Sequence, residues 1–298
     1  DMTRNPGQWR PGPVFVIDEE ARRQVYEAPD VQLVPPLMNE LVDRIANEDG
    51  GIPGIVRAAM AHLNLVMIHP FSDGNGRMAR ALQTLVLGRA GTLWPEFSSI
   101  EEYLGAHQRD YYDILSHVGQ GRWHPELDAQ PWIEFSLRAH YFQAHTLLRR
   151  MRENERLYEK LDRMVRDAGL PERAVLALFD AASGFKVRNG TYRPVADVNE
   201  HQAGRDLRAL AAAGLLDGEG EKRARFYVAS AKVAAVKQSI EETTPIIDPY
   251  DGLAMEARAV VTSTVSGPSR VITSRAPSST GPKPPSEQSA SDAPDRAP

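Results

Sequence analysis

One short run holds most of the chemistry this chain can do: His69-Pro70-Phe71-Ser72-Asp73-Gly74-Asn75-Gly76-Arg77-Met78-Ala79-Arg80. Pro70 disfavours helical geometry at the residue before it, so an incoming helix should end at His69 and project the imidazole from its tip. Gly74 and Gly76 allow a backbone that turns successive N–H groups inward at the start of the next helix. That makes a cradle for anions, and the helix dipole reinforces it. Arg77 and Arg80 stand three apart, lean towards the same end, and can fork onto phosphate oxygens. Asp73 is a single carboxylate beside the cradle. Magnesium commonly uses one or two carboxylates plus substrate phosphates, so Asp73 fits as its ligand. His69 is then the nearby group able to take a proton at neutral pH. Together these describe phosphoryl-type transfer, in which positioning and charge stabilisation supply most of the catalysis.

Such a site needs two helices meeting at a tight turn, and the flanking periodicity supplies them. Asp73-Gly74-Asn75-Gly76 between alternating strands would form a hairpin, but both flanks are helical in period. Leu37, Leu41 and Ile45 mark a first helix closed by Gly50-Gly51. Val56, Met60, Leu63 and Met67 share one face of a second helix, predicted over 53–67 with Pro53 in its first turn. A third starts near Asn75, aligns Met78, Leu82 and Leu85, and ends around 88–91. Further helices are predicted over 99–118 and 131–167. Val14-Phe15-Val16-Ile17 is the clear strand of the N-terminal region. Beyond Gly169-Leu170-Pro171 the pattern predicts a helix over 173–181, a short helix over 195–198, a helix over 201–213 and a strand over 225–228.

Composition bounds the alternatives. A chain of 298 residues with 42% hydrophobic and 25% charged content suits a soluble globular protein of one large or two smaller units. A net charge of −5 gives no reason for the whole surface to coat nucleic acid. The absence of cysteine removes disulfides, zinc–thiolate sites and thiol nucleophiles. No run of about 18 apolar residues offers a membrane span, and the first residues lack the apolar core of a signal peptide. The expected location is the cytoplasm. From residue 242 the pattern decays into a tail rich in Pro and Ser, expected to be disordered.

The run 69–80 resembles the signature of the Fic family, His-Pro-Phe-x-Asp/Glu-Gly-Asn-Gly-Arg-x-x-Arg, and agrees at every defined position. Gly7-Gln8-Trp9-Arg10 through Val16 resembles the family's flap hairpin. Val34-Pro35-Pro36-Leu37-Met38 resembles the start of its next helix, and Tyr111-Tyr112-Asp113-Ile114-Leu115 its paired-tyrosine helix. The resemblance implies a mainly α fold: a Fic-type helical bundle over 1–150 with a β-hairpin flap near 7–30. It implies a protein adenylyltransferase that uses ATP and Mg²⁺ to move AMP onto a Tyr, Thr or Ser hydroxyl of a target protein. His69 would deprotonate that hydroxyl, and Asp73 would hold the metal. Gly74, Asn75 and Gly76 would cradle phosphates, Arg77 and Arg80 would clamp the outer ones, and Met78 would join the nucleotide-binding set. Tyr111 lies near the nucleoside or in the core. The flap residues Val14, Phe15, Val16 and Ile17 would pin the nucleotide and align a target segment by strand pairing. Gly76 stands where the phosphate-transferring Doc subgroup has lysine, which favours AMP. Two alternatives are removal of AMP or transfer of another phosphate-linked group, and a DNA-binding regulator whose Fic domain senses nucleotide.

Residues 151–169 read as a helical linker and 170–235 resemble a small α/β winged helix-turn-helix. Gln202, Arg205 and Arg208 could face DNA, with a basic wing at Lys222, Arg223 and Arg225. Acidic residues dilute that charge, so a protein-interaction or packing role is an equal reading. Many relatives restrain themselves with a glutamate paired to the motif's second arginine, here Arg80. The inhibitory sequence Ser/Thr-x-x-x-Glu-Gly/Asn does not occur; Ser98-Ser99-Ile100-Glu101-Glu102 comes closest. The expectation is therefore that Arg80 stands unpaired, and that the restraint lies upstream of residue 1 or in a separate inhibitor.

Overall fold

The computed structural model describes residues 7–18, 22–47, 51–91, 97, 99–126, 128–221 and 224–250. A hairpin comes first, with β1 (Phe15–Asp18) antiparallel to β2 (Arg23–Glu27) and a register shift between Val16 and Ile17. After a short 3-10 turn (Val31–Leu33), α1 (Val34–Ala46) opens with Pro35 and Pro36, whose missing N–H groups cost nothing in a first turn. Then follow α2 (Gly54–Ile68), α3 (Asn75–Arg89), α4 (Glu101–Ala106), α5 (Gln108–Gly119) and α6 (Gln130–Asp167).

The α2 helix is the centre of the first unit. Its Leu63 and Met67 join a core with Tyr26, Tyr111, Trp132 and Ile133, which is the face the spacing marked. Its opposite face also buries Ala58, Ala61, Leu65 and Ile68 against Leu37, Leu41, Ala79 and Leu87. Each fully buried leucine contributes roughly 2 kcal/mol, and the small alanines let neighbouring helices approach on both sides. The helix expected over 99–118 is two helices, because His107 leaves helical geometry with φ −119 and ψ 40.

The second unit runs α7 (Ala174–Ala182), α8 (Asn189–Ala196), α9 (Glu200–Ala212), an antiparallel hairpin of β3 (Leu216–Glu219) and β4 (Phe226–Ala229), and α10 (Ala231–Gln238). The short helix expected over 195–198 lies earlier, over Asn189–Ala196, with Pro194 inside it. Asn199 caps α9 by accepting from Gln202 N–H, which fixes its start. The stretch read as a linker is the C-terminal half of α6. There Leu157, Leu161 and Val165 are buried with Leu178, Leu207 and Leu210.

Residues 242–250, expected to belong to a disordered tail, instead lie along α6. Arg152 and Arg156 both pair with Glu242, and Arg138 pairs with Asp248 at 2.8 Å while facing the Tyr250 ring. The physical reason is a row of arginines on α6 that composition alone did not connect to a distant acidic segment. Residues 251–298, Lys222 and Arg223 lie outside the described residues. Among the described residues no helix is long and apolar enough to cross a membrane.

Candidate active site

The site begins where α2 stops. His69 caps the helix in the left-handed region, φ 52 and ψ 55, with its N–H still bonded to Leu65 C=O at 3.0 Å. Histidine tolerates that region better than β-branched residues do, and Pro70 forbids continuation. The His69 Nδ1 lies 3.1 Å from Val66 C=O. A carbonyl only accepts, so Nδ1 carries the proton and Nε2 keeps a lone pair. Burial lowers the His69 pKa from 6.5, opposed by the Val66 bond and aided by the Arg10 charge. The ring is thus neutral at pH 7 and able to accept a proton.

The turn into α3 is held by Asn75, whose buried side chain closes two bonds on one residue. Its Oδ1 accepts from Phe71 N–H at 2.9 Å and its Nδ2 donates to Phe71 C=O at 2.8 Å. The Asn75 amide therefore shapes the cradle. Gly74 caps α3 at φ 84, a conformation that favours glycine. The Asp73 carboxylate accepts from Gly74 N–H and pairs with Arg77 at 3.3 Å, both side chains more than half exposed.

Arg80 does not stand unpaired. Its Nε donates to Glu101 Oε1 at 3.1 Å, from the first turn of α4. The expectation fails because Glu101 is remote in sequence and reaches Arg80 only once α4 packs beside α3. Glu101 is 62% exposed, and such pairs are worth about 0.2–1 kcal/mol. A phosphate entering the cavity would compete with this carboxylate. Glu101→Gln should tighten ATP about 1.5- to 5-fold, with the gain shrinking at high salt. Calorimetric titration at two ionic strengths checks this; unchanged or weaker affinity would remove Glu101 from the site's electrostatics.

These groups border a cavity of about 400 Å³, within the usual small-ligand range of about 300–1,000 Å³. His69, Asp73, Gly74, Asn75, Gly76, Arg77 and Arg80 line one side. Val16 and Val25 of the hairpin and Tyr111 and Tyr112 of α5 line the other. Four residues marked in the sequence do not border it. Phe15 and Ile17 are exposed and flank the inward Val16, as strand alternation requires. Val14 packs against the first core, and Met78 points to solvent from α3. Tyr111 is buried, with its hydroxyl 3.0 Å from His62 Nε2. Tyr112, 55% exposed, offers the more open ring, which the sequence pattern did not single out.

Arg10, in the sequence only a member of the flap-like run 7–10, proves to be a structural tie. It is 2% exposed, its Nε donates to His69 C=O at 2.9 Å, and its Nη atoms donate to Gly12 C=O and Pro29 C=O. Its own N–H donates to Pro70 C=O at 2.8 Å. One guanidinium thus ties the hairpin's entry and exit to the backbone of the histidine loop. A buried arginine beside Pro-Gly sequence has no periodicity, so only the folded chain exposes the link.

Residues 2–87 match the Fic/DOC family model. The protein adenylyltransferase fic-1 of Caenorhabditis elegans is 36% identical over 100 residues, covering 32% of this chain and 20% of that protein. The protein adenylyltransferase Fic of Nematostella vectensis is 35% identical over 133 residues, covering 44% and 27%. The chain therefore spans about a fifth to a quarter of the length of these relatives. A solved Fic family protein from Desulfovibrio desulfuricans G20 aligns with TM-score 0.44 at 23% identity, covering 77% of this chain and 65% of that one.

Proposed function

We propose, from the premise that the chain belongs to the Fic/DOC family through residues 2–87, that it is a protein adenylyltransferase. The reading is that AMP passes from ATP to a Tyr, Thr or Ser hydroxyl of a target protein. The observation that carries it is a neutral, proton-accepting His69 in the same cavity as the glycine cradle, Arg77 and Arg80. In this reading the hydroxyl oxygen attacks the α-phosphorus, its proton passes to His69 Nε2, and the bond to pyrophosphate breaks. Arg77 and Arg80 hold the outer phosphates by charge-assisted bonds. The cradle N–H groups at the α3 N-terminus take the negative charge that grows on the phosphoryl oxygens.

The donor set fits a magnesium ion. Among the described residues no cluster of three or more His, Asp or Glu forms a metal site. A cation here would rely on the exposed Asp73 carboxylate and on nucleotide oxygens, which is the habit of magnesium. Bound there, it would neutralise phosphate charge.

Incubation with ATP labelled separately at the α- and γ-phosphates tests the proposal. Protein-bound label from the α-phosphate, resistant to nuclease, is the expected result. Label from the γ-phosphate would identify a phosphotransferase instead. No label with either, across a panel of candidate partners, together with release of AMP from adenylylated protein, would establish the reverse activity.

A further inference from the structure

Beneath the cavity floor runs a line of buried side chains that the transfer chemistry does not use. His62 of α2 is 0% exposed, and both its ring nitrogens are engaged. Nδ1 lies 2.6 Å from Gln83 Oε1 of α3, and Nε2 lies 3.0 Å from the Tyr111 hydroxyl of α5. The Gln83 amide nitrogen in turn reaches His140 Nε2 of α6 at 2.9 Å and Ser136 Oγ at 3.3 Å. One chain of hydrogen bonds therefore crosses four helices and ends at the nucleotide cavity.

The direction of these bonds follows from counting protons. Burial pushes the His62 pKa down to about 4, against the Gln83 bond, so the ring is neutral and holds one N–H. Gln83 turns its nitrogen towards His140 and leaves its carbonyl for His62, which places the His62 proton on Nδ1. Nε2 is then an acceptor, and the Tyr111 hydroxyl must donate its proton inward. The phenol oxygen keeps only lone pairs for the cavity side, which Arg80 also borders; burial raises the Tyr111 pKa and the Arg80 charge opposes it.

We propose that His62 is a positioning residue for the phosphate-binding arginine: by drawing the Tyr111 proton inward it makes the phenol oxygen an acceptor that holds the Arg80 guanidinium in place before the nucleotide arrives. An arginine already held loses less rotamer freedom on binding, which raises affinity without a new contact to the ligand. This rests on the reading that Arg80 meets the phosphate tail. A buried network satisfied at every member also specifies the packing of the four helices, so the test must separate positioning from packing.

Calorimetry of ATP and of AMP with wild type, His62→Phe, Tyr111→Phe and the double variant makes that separation. Each single change should weaken ATP about threefold to tenfold, the range of one lost hydrogen bond. The double variant should be no weaker than the worse single, because both act through the same phenol oxygen. AMP, which lacks the outer phosphates, should bind His62→Phe nearly as it binds wild type. Additive losses, or equal losses for AMP and ATP, would reduce His62 to a packing residue. Two measurements on the unliganded chain decide the relay even if no nucleotide binds, a result that would sink the functional reading instead. Nitrogen-15 spectra should show His62 with its proton on Nδ1, and Arg80 guanidinium protons should exchange faster in Tyr111→Phe. A proton on Nε2, or unchanged exchange, overturns the relay, and neither observation depends on His62→Phe folding.

Discussion

His69→Ala is expected to lower the rate of protein labelling from ATP by about 10²- to 10⁴-fold, the usual contribution of a positioned general base. The lone pair that takes the proton is the one on Nε2, since Nδ1 is committed to Val66 C=O. ATP affinity should stay within about twofold, because the base acts on the incoming hydroxyl and not on the nucleotide. Alanine in the left-handed region costs about 1–2 kcal/mol, so a loss of activity could arise from a shifted loop. His69→Asn separates the two causes: asparagine tolerates that region but supplies no base. Both variants should be equally inactive, with His69→Asn the more stable. The pH dependence has a fixed sign. With His69 as the proposed base the neutral ring is the active form, and burial holds its pKa below 6.5. Transfer should be flat above neutrality and fall as pH drops through that lowered value. Retention of half the wild-type rate by either variant would rule out His69 as the general base.

Arg10→Ala should cost about 3 kcal/mol of stability, or roughly 6–12 °C in Tm. Three carbonyls, those of His69, Gly12 and Pro29, lose a charged donor at once. The Pro29 carbonyl is left unsatisfied in a buried setting, and those of His69 and Gly12 in half-buried ones. The magnitudes of separate bonds do not add in full, because the loop relaxes and water enters. Arg10→Lys should recover little, since one ammonium cannot span three carbonyls that a planar fork reaches. Labelling should fall as well, because the carbonyl released is that of His69 itself. Scanning calorimetry of the two variants checks the stability claim. A Tm within about 2 °C of wild type would mean that the hairpin and the histidine loop hold their places without this tie.

The run 69–80 was legible because its chemistry is local. A proline after His69, glycines at the turn and arginines three apart act through backbone geometry within one helix turn. Helix periodicity likewise found the Met67 face of α2, since half-buried helices alternate every three to four residues. The opposite face of α2 was not found, because a helix buried on both sides loses that contrast. The break at His107 went unseen for a related reason: Tyr103 and Ile114 keep apolar character across it, so the pattern reads as continuous.

What the sequence determined by itself is the set of candidate groups and the turn that presents them, since both follow from neighbours along the chain. Only the tertiary structure decided which groups those residues meet. Glu101 reaches Arg80 over 21 positions, Arg10 reaches His69 over 59, and His140 reaches Gln83 over 57. Exposure of Val16 rather than Phe15 or Ile17 to the cavity was decided in the same way, by where the hairpin lies on the bundle. Hydrogen bonds and ion pairs between distant positions depend on side-chain direction in space, and no spacing rule along one strand or helix encodes that.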